Sequence, residues 1–133
     1  MAAIRAAHAD AMVEKLGGLD YEVGTAAEKL SGGQRQCLGI ARAMLRQAPY
    51  MLLDEATSAL SASLALEAQE ALNQKMAGKT MLIVAHNIAT VRDADKIIVM
   101  DQGKVAAEGT HSELMANCPL YAQLVRIQTG EEA

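Results

Sequence analysis

A chain of 133 residues has room for one domain at most. Its formal net charge of −4 gives no field to attract nucleic acid or an anionic bilayer. No apolar run is long enough to cross a membrane, and the N-terminus lacks the charged-then-apolar pattern of a secretion signal. The expectation is a soluble, cytoplasmic chain with no nucleic-acid partner, whose membrane role, if any, comes through another protein. An apolar fraction of 51% is ample for a core. With no Phe or Trp and three Tyr, that core is expected to be Ala, Leu, Ile, Val and Met, the eight Met serving as adaptable filler. Cys37 and Cys118 show neither CxxC spacing nor a His/Cys cluster, and are expected as two free, partly buried thiols in a reducing compartment.

In chain order, residues 2–16 are Ala-rich and predict a helix with Ile4, Ala7, Ala11 and Leu16 on one side, ended by Gly17-Gly18. A loop follows over 17–30, with Gly24 as its turn. Ser31 and Gln34 have the spacing of a capping box and predict the next helix start. Leu38, Ala41, Met44 and Leu45 then recur at helical spacing to about Gln47, and Pro49 stops the run. Residues 50–53 predict a short strand; their lack of alternation predicts burial on both faces, as in a parallel sheet. A helix over 63–76, ended by Gly78, leads to a second buried strand at 80–85. Residues 96–100 and 104–107 predict a hairpin around Gln102-Gly103. Thr110 to Glu113 is a second capping box opening a short helix, and Pro119 starts a last helix to about Gln128. Strands alternating with helices predict an α/β class with a mostly parallel sheet.

Three places carry chemistry. In Ser31-Gly32-Gly33-Gln34, the first turn of a helix offers N–H groups without internal partners and a partial positive charge. The glycines let a ligand approach the backbone closely, and the Ser31 hydroxyl adds a donor, which makes an anion or phosphate site. Asp54 and Glu55 close the apolar strand at its carboxyl end, where ligands gather in open α/β sheets. A carboxylate there can hold Mg²⁺ through water, and the next one can polarise an attacking water. His86 follows the second strand and would reach the same sheet edge. Against these stand plainer roles: a helix cap for Ser31, a solvated strand end for Asp54-Glu55, a structural histidine for His86. The order of the three segments favours chemistry. His8 and His111 have no such context and are expected as surface or capping residues.

Leu30-Ser31-Gly32-Gly33-Gln34 followed by Tyr50-Met51-Leu52-Leu53-Asp54-Glu55 resembles the signature and Walker B motifs of ABC-type ATPases, the cassettes that drive membrane transporters. The tail, from Asp101-Gln102-Gly103-Lys104 to Glu108-Gly109-Thr110-His111-Ser112-Glu113-Leu114, is similar to that of exporter-type cassettes. Tyr21-Glu22-Val23-Gly24 resembles the loop that touches transmembrane coupling helices. The resemblance implies the C-terminal half of a cassette: a partial P-loop-NTPase-like sheet with flanking helices over 49–133, and part of the ABC helical subdomain with the signature helix over 1–48. It implies that Ser31, Gly32, Gly33 and Gln34 bind nucleotide in trans, that Asp54 holds Mg²⁺ through water, that Glu55 is the catalytic base and His86 the switch histidine. Ser58, Ala59, Leu60 and Ser61 fall on the D-loop. The implied cofactors are ATP and Mg²⁺ in a completed composite site. The implied partners are another ABC ATPase domain and a transmembrane domain, with the chain peripheral on the inner face of the cell membrane.

The sequence departs from the family pattern in three ways. Ser61 stands where the D-loop usually has Asp, and Thr25 where the coupling loop usually has Glu. No Gly-x-x-x-x-Gly-Lys-Ser/Thr loop, Q-loop or adenine-stacking aromatic occurs in the 133 residues. On the family's logic these residues alone offer a signature in trans without a phosphate cradle of their own, and alone should not turn over ATP. The alternative reading is a non-catalytic cassette that pairs with and regulates an intact ATPase. A chromosome-maintenance ATPase lobe would follow a heptad-bearing coiled coil, and residues 2–29 show no heptads.

Overall fold

Local capping chemistry sets three of the helix starts, at Ser31, Asn87 and Thr110. The computed structural model describes residues 1–46 and 48–130, in two compact units, Met1–Val84 and Ala85–Ala133. The first unit holds helices α1 (Ala2–Ala6), α2 (Asp10–Lys15), α3 (Gly32–Leu45) and α4 (Ala62–Lys75), a 3-10 turn at Thr25–Ala27, and strands β1 (Tyr50–Asp54) and β2 (Thr80–Val84).

The expected continuous helix over 2–16 is two helices. His8 takes a left-handed φ of 52°, and its imidazole Nδ1 lies 3.1 Å from a Glu67 carboxylate oxygen on α4. The break rotates the inward face: Ala7, Ala9 and Val13 are buried, whereas Ala11 is exposed. Gly17 and Gly18 do end α2; both have positive φ, and the Gly18 N–H donates to Val13 O at 2.9 Å. Helix α3 buries Cys37, Ile40, Ala41 and Met44. Its stripe is offset from the expected one, so Leu38 is half-buried and Leu45 is 72% exposed. Arg46 has already left the helix with ψ 134°, ahead of Pro49; the expected end at Gln47 lies outside the described residues.

β1 and β2 pair in parallel, Tyr50 opposite Thr80 and Asp54 opposite Val84. The two-faced burial expected for both strands does not occur. β1 alternates, with Met51 and Leu53 buried and Tyr50 and Leu52 exposed at 74% and 67%. On β2, Met81 and Ile83 are half-buried while Leu82 and Val84 are exposed. The reason is a single layer of helices. Ile40 and Met44 of α3, Ala68 and Leu72 of α4, and Ala7 form one core with Met51 and Leu53. Among the described residues nothing in this unit covers the other face.

The second unit comprises α5 (Ile88–Val91), an antiparallel hairpin of β3 (Ile97–Asp101) and β4 (Lys104–Gly109), α6 (His111–Asn117) and α7 (Pro119–Thr129). Gln102 and Gly103 both have positive φ, as the tight hairpin turn requires, and Lys96 and Glu108 pair across the strands at 3.0 Å. The second capping box forms as expected. Thr110 N–H and hydroxyl, in that order, hold the Glu113 carboxyl below the ordinary carboxylate value.

The core of this unit groups Ile97, Val99, Leu114, Cys118, Tyr121 and Val125, so it is not purely aliphatic. Burial pushes the Tyr121 phenol up, and its oxygen sits 2.9 Å from His111 Nδ1. His111 is thus the polar partner of a buried tyrosine rather than a surface or capping residue. Of the eight Met, three (Met44, Met51, Met76) are buried, so the filler role holds for part of them. Cys37 and Cys118 are both free and buried. Among the described residues no helix is long and apolar enough to cross a membrane.

Candidate functional site

The start of α3 is built from both sides. Ser31 Oγ accepts from the Gln34 N–H at 3.2 Å, and Gln34 Oε1 accepts from the Ser31 N–H at 2.8 Å. Arg35 Nη1 donates to Leu30 O at 2.6 Å and fixes the approach of the chain. The box satisfies the N–H groups of Ser31 and Gln34. The N–H groups of Gly32 and Gly33 and the Ser31 O–H have no acceptor among the described residues. These three donors sit at the positive end of a 14-residue helix. Burial pushes the thiol of Cys37, further along α3, up from its ordinary value.

Asp54 ends β1 and is exposed. Glu55 continues the ladder by one bond, its N–H donating to Val84 O at 2.8 Å. It then turns the chain with a φ of 46°, a region a non-glycine residue enters only when its surroundings enforce it. The following turn is closed by Ser58 N–H to Glu55 O at 3.1 Å and Leu60 N–H to Thr57 O at 3.1 Å. Ser61 is the N-cap of α4 but makes no capping bond; its hydroxyl lies 3.4 Å from that of Ser63.

The expected signature and D-loop residues meet. A Cβ on Gly33 would lie 3.0 Å from Ala59 O and 3.5 Å from Leu60 Cδ2, and one on Gly32 would lie 3.5 Å from Ala59 Cβ. Gly33 is therefore favoured by close contact inside the chain. Gln36, which sequence reasoning passed over as a flanking residue, bonds Glu55 O, Ser58 Oγ and the Ala59 N–H.

His86 belongs to the second unit, two residues past β2. Its carbonyl accepts from Gln128 Nε2 at 2.6 Å, and Gln128 Oε1 accepts from the Ile88 N–H at 2.8 Å, so α7 holds the main chain around the histidine. Asn87 Oδ1 caps α5 by accepting from Ala89 N–H. Gln128 also went unread in the sequence, because a bond spanning 42 positions leaves no local pattern. In the first unit, Lys29 Nζ donates to Glu22 O at 3.0 Å and lies 5.7 Å from the Tyr21 ring centre, which staples the 21–24 segment beside Gly24 at φ 81°.

Among the described residues no group of three or more His, Cys, Asp or Glu side chains could cage a metal. Two adjacent exposed carboxylates at a strand end instead fit Mg²⁺ as it travels with phosphates, held by one or two carboxylates and its own water.

A family model described as "ABC transporter" matches residues 3–58. The chain is 48% identical over 132 residues to the ATP-dependent lipid A-core flippase of Haemophilus ducreyi, covering 98% of this chain and 23% of that protein. It is 49% identical over 126 residues to the flippase of Vibrio vulnificus, covering 94% of this chain and 22% of that protein. A solved bacterial Atm1-family ABC exporter with ATP bound superposes with a TM-score of 0.92 at 35% identity, over 98% of this chain and 23% of the other. The chain thus spans less than a quarter of the length of these relatives.

Proposed function

The chain belongs to the ABC transporter family, and on that premise we propose that it is the part of an exporter-type ATP-binding domain that completes a nucleotide site with a second ATPase domain. In this reading Ser31 and the N–H groups of Gly32 and Gly33 receive the terminal phosphate of ATP bound by the partner. On the nucleotide of its own domain, whose phosphate loop these 133 residues do not include, Asp54 would hold the magnesium ion through water, Glu55 would polarise the attacking water, and His86 would hydrogen-bond a phosphate oxygen to orient it. The ion, when bound, neutralises charge on the phosphates. Ser58 to Ser61 face the partner domain, and residues 21–24 face a transmembrane domain at the inner side of the membrane. Identity to lipid A-core flippases supports a lipid exporter as the machine served.

The observation that carries this reading is the start of α3. Its capping box leaves two glycine N–H groups and one hydroxyl as donors at the positive helix end, in a geometry made for an anion.

The test is ATP-dependent pairing of the chain with an intact ATP-binding domain of an exporter relative. Gly32→Asp is the informative variant. Its Cβ meets only ordinary contact within the chain, and a carboxylate in the first turn suits the helix dipole, so folding is preserved. It places negative charge where the phosphate must sit. Pairing should weaken by about thirtyfold or more, on the order of the 2–5 kcal/mol of an unpaired buried charge. Equal pairing by wild type and Gly32→Asp would leave Ser31–Gln34 as a helix cap only and overturn the proposal. Pairing without any hydrolysis attributable to Glu55 would support the regulatory alternative.

A further inference from the structure

Gln36 sits in the second turn of α3, half-buried, and its carboxamide makes three hydrogen bonds, all to one turn of chain 19 to 23 positions away. Nε2 spends both protons, on Glu55 O at 3.2 Å and Ser58 Oγ at 3.0 Å; Oε1 accepts the Ala59 N–H at 2.8 Å. The orientation of the amide follows from its neighbours, since the reverse would set N–H against N–H and oxygen against carbonyl. The turn needs such a hold: Glu55 is left-handed, and the far side of the turn rests closely on Gly33, where a Cβ would lie 3.0 Å from Ala59 O.

We propose that Gln36 is a positioning residue that makes the start of α3 and the loop 55–61 a single rigid surface for the partner domain, and fixes the peptide plane after Glu55. This rests on the reading of Ser31–Gln34 and Ser58–Ser61 as partner-facing. Gln36 touches neither nucleotide nor metal; it acts through Glu55, Ser58 and Ala59. The three contacts together form a template that a single bond could not, because the loop is fixed at its first, fourth and fifth residues.

Two readouts on the full chain separate this proposal from the one it rests on. Exchange of the Ala59 amide, followed by NMR, reports the clamp whether or not any partner exists. The Kd for an intact, ATP-loaded exporter ATP-binding domain reports presentation. Gln36→Ala should speed Ala59 exchange and weaken pairing, each about tenfold, as for the loss of one or more net hydrogen bonds, while exchange of the buried α3 amides stays unchanged. Gln36→Glu keeps the acceptor for Ala59 and loses both donors, so Ala59 exchange should stay near wild type and pairing should be intermediate. If Gln36→Ala fails to fold, Gln36→Met, which keeps the length of the side chain and loses the acceptor for Ala59, carries the test. Faster Ala59 exchange with undiminished pairing would overturn the positioning role, and unchanged Ala59 exchange in the variant that loses the acceptor would overturn the clamp. A wild-type chain that never pairs would sink the proposed function, and the clamp would then stand or fall on Ala59 alone.

Discussion

Gly32 and Gly33 are neighbours with different duties. A methyl on Gly32 finds ordinary contact, whereas one on Gly33 meets the Ala59 carbonyl at 3.0 Å. Backbone oxygen within a tethered turn yields little. Gly32→Ala should therefore be neutral or gain up to about 1 kcal/mol from helix propensity. Gly33→Ala should lose about 1–3 kcal/mol through forced backbone shift. Urea unfolding of the two variants checks the order, and equal stability would refute it. The candidate site residues could be named from the sequence because Ser31, Gly32, Gly33 and Asp54-Glu55 form a short ordered string, and the structure places them at a helix start and a strand end. Their mutual support was not legible. Gln36 and Gln128 act through main-chain atoms distant in sequence, and no periodicity or spacing announces such a bond.

Secondary elements were legible where capping chemistry is local. Both boxes, the Gln102-Gly103 turn and the Pro119 helix start form as read. The failures share one cause. Apolar residues mark what a chain can bury, not which side has a neighbour, so Tyr50, Leu52 and Leu82 read as core while facing outward. The continuous helix over 2–16 failed for a related reason: Ala is a strong helix former, but Ala7 and Ala9 are both buried only if the chain turns at His8.

Capping also gives α6 a pH dependence. The Glu113 carboxyl lies below its ordinary 4.5, first through the Thr110 N–H and then through its hydroxyl. A depressed folded value means the contribution is complete above 4.5 and is lost as the pH falls through the lower folded value. The Thr110 amide shift should titrate with a midpoint below 4.5 in the native chain and stay flat in Glu113→Gln. A midpoint at or above 4.5 would contradict the box as the cause.

At the scale of the whole molecule, the outer face of β1 and β2 presents Tyr50, Leu52, Leu82 and Val84 side by side. β1 and β2 are the only strands of their sheet among the described residues, so an edge is open as well. The 133-residue chain should self-associate as its concentration rises. Leu52→Glu should shift that association by about tenfold or more, since it sets like charges together in any face-to-face pair. Light scattering across a concentration series is the check, and a strictly monomeric wild type would count against the idea.

The parallel pairing of β1 has a further consequence in time. Tyr50 has its ladder partner at Thr80, so in a growing polypeptide the β1–β2 ladder cannot close until thirty more residues have been made. At synthesis rates of about 5–20 residues per second, that interval is on the order of seconds. During it, the helix that opens at Ser31 can already form, because its cap lies wholly within residues 31–34. The helix start can thus be finished seconds before the ladder that follows it in the chain is closed, so the order of assembly in this stretch runs from cap to sheet.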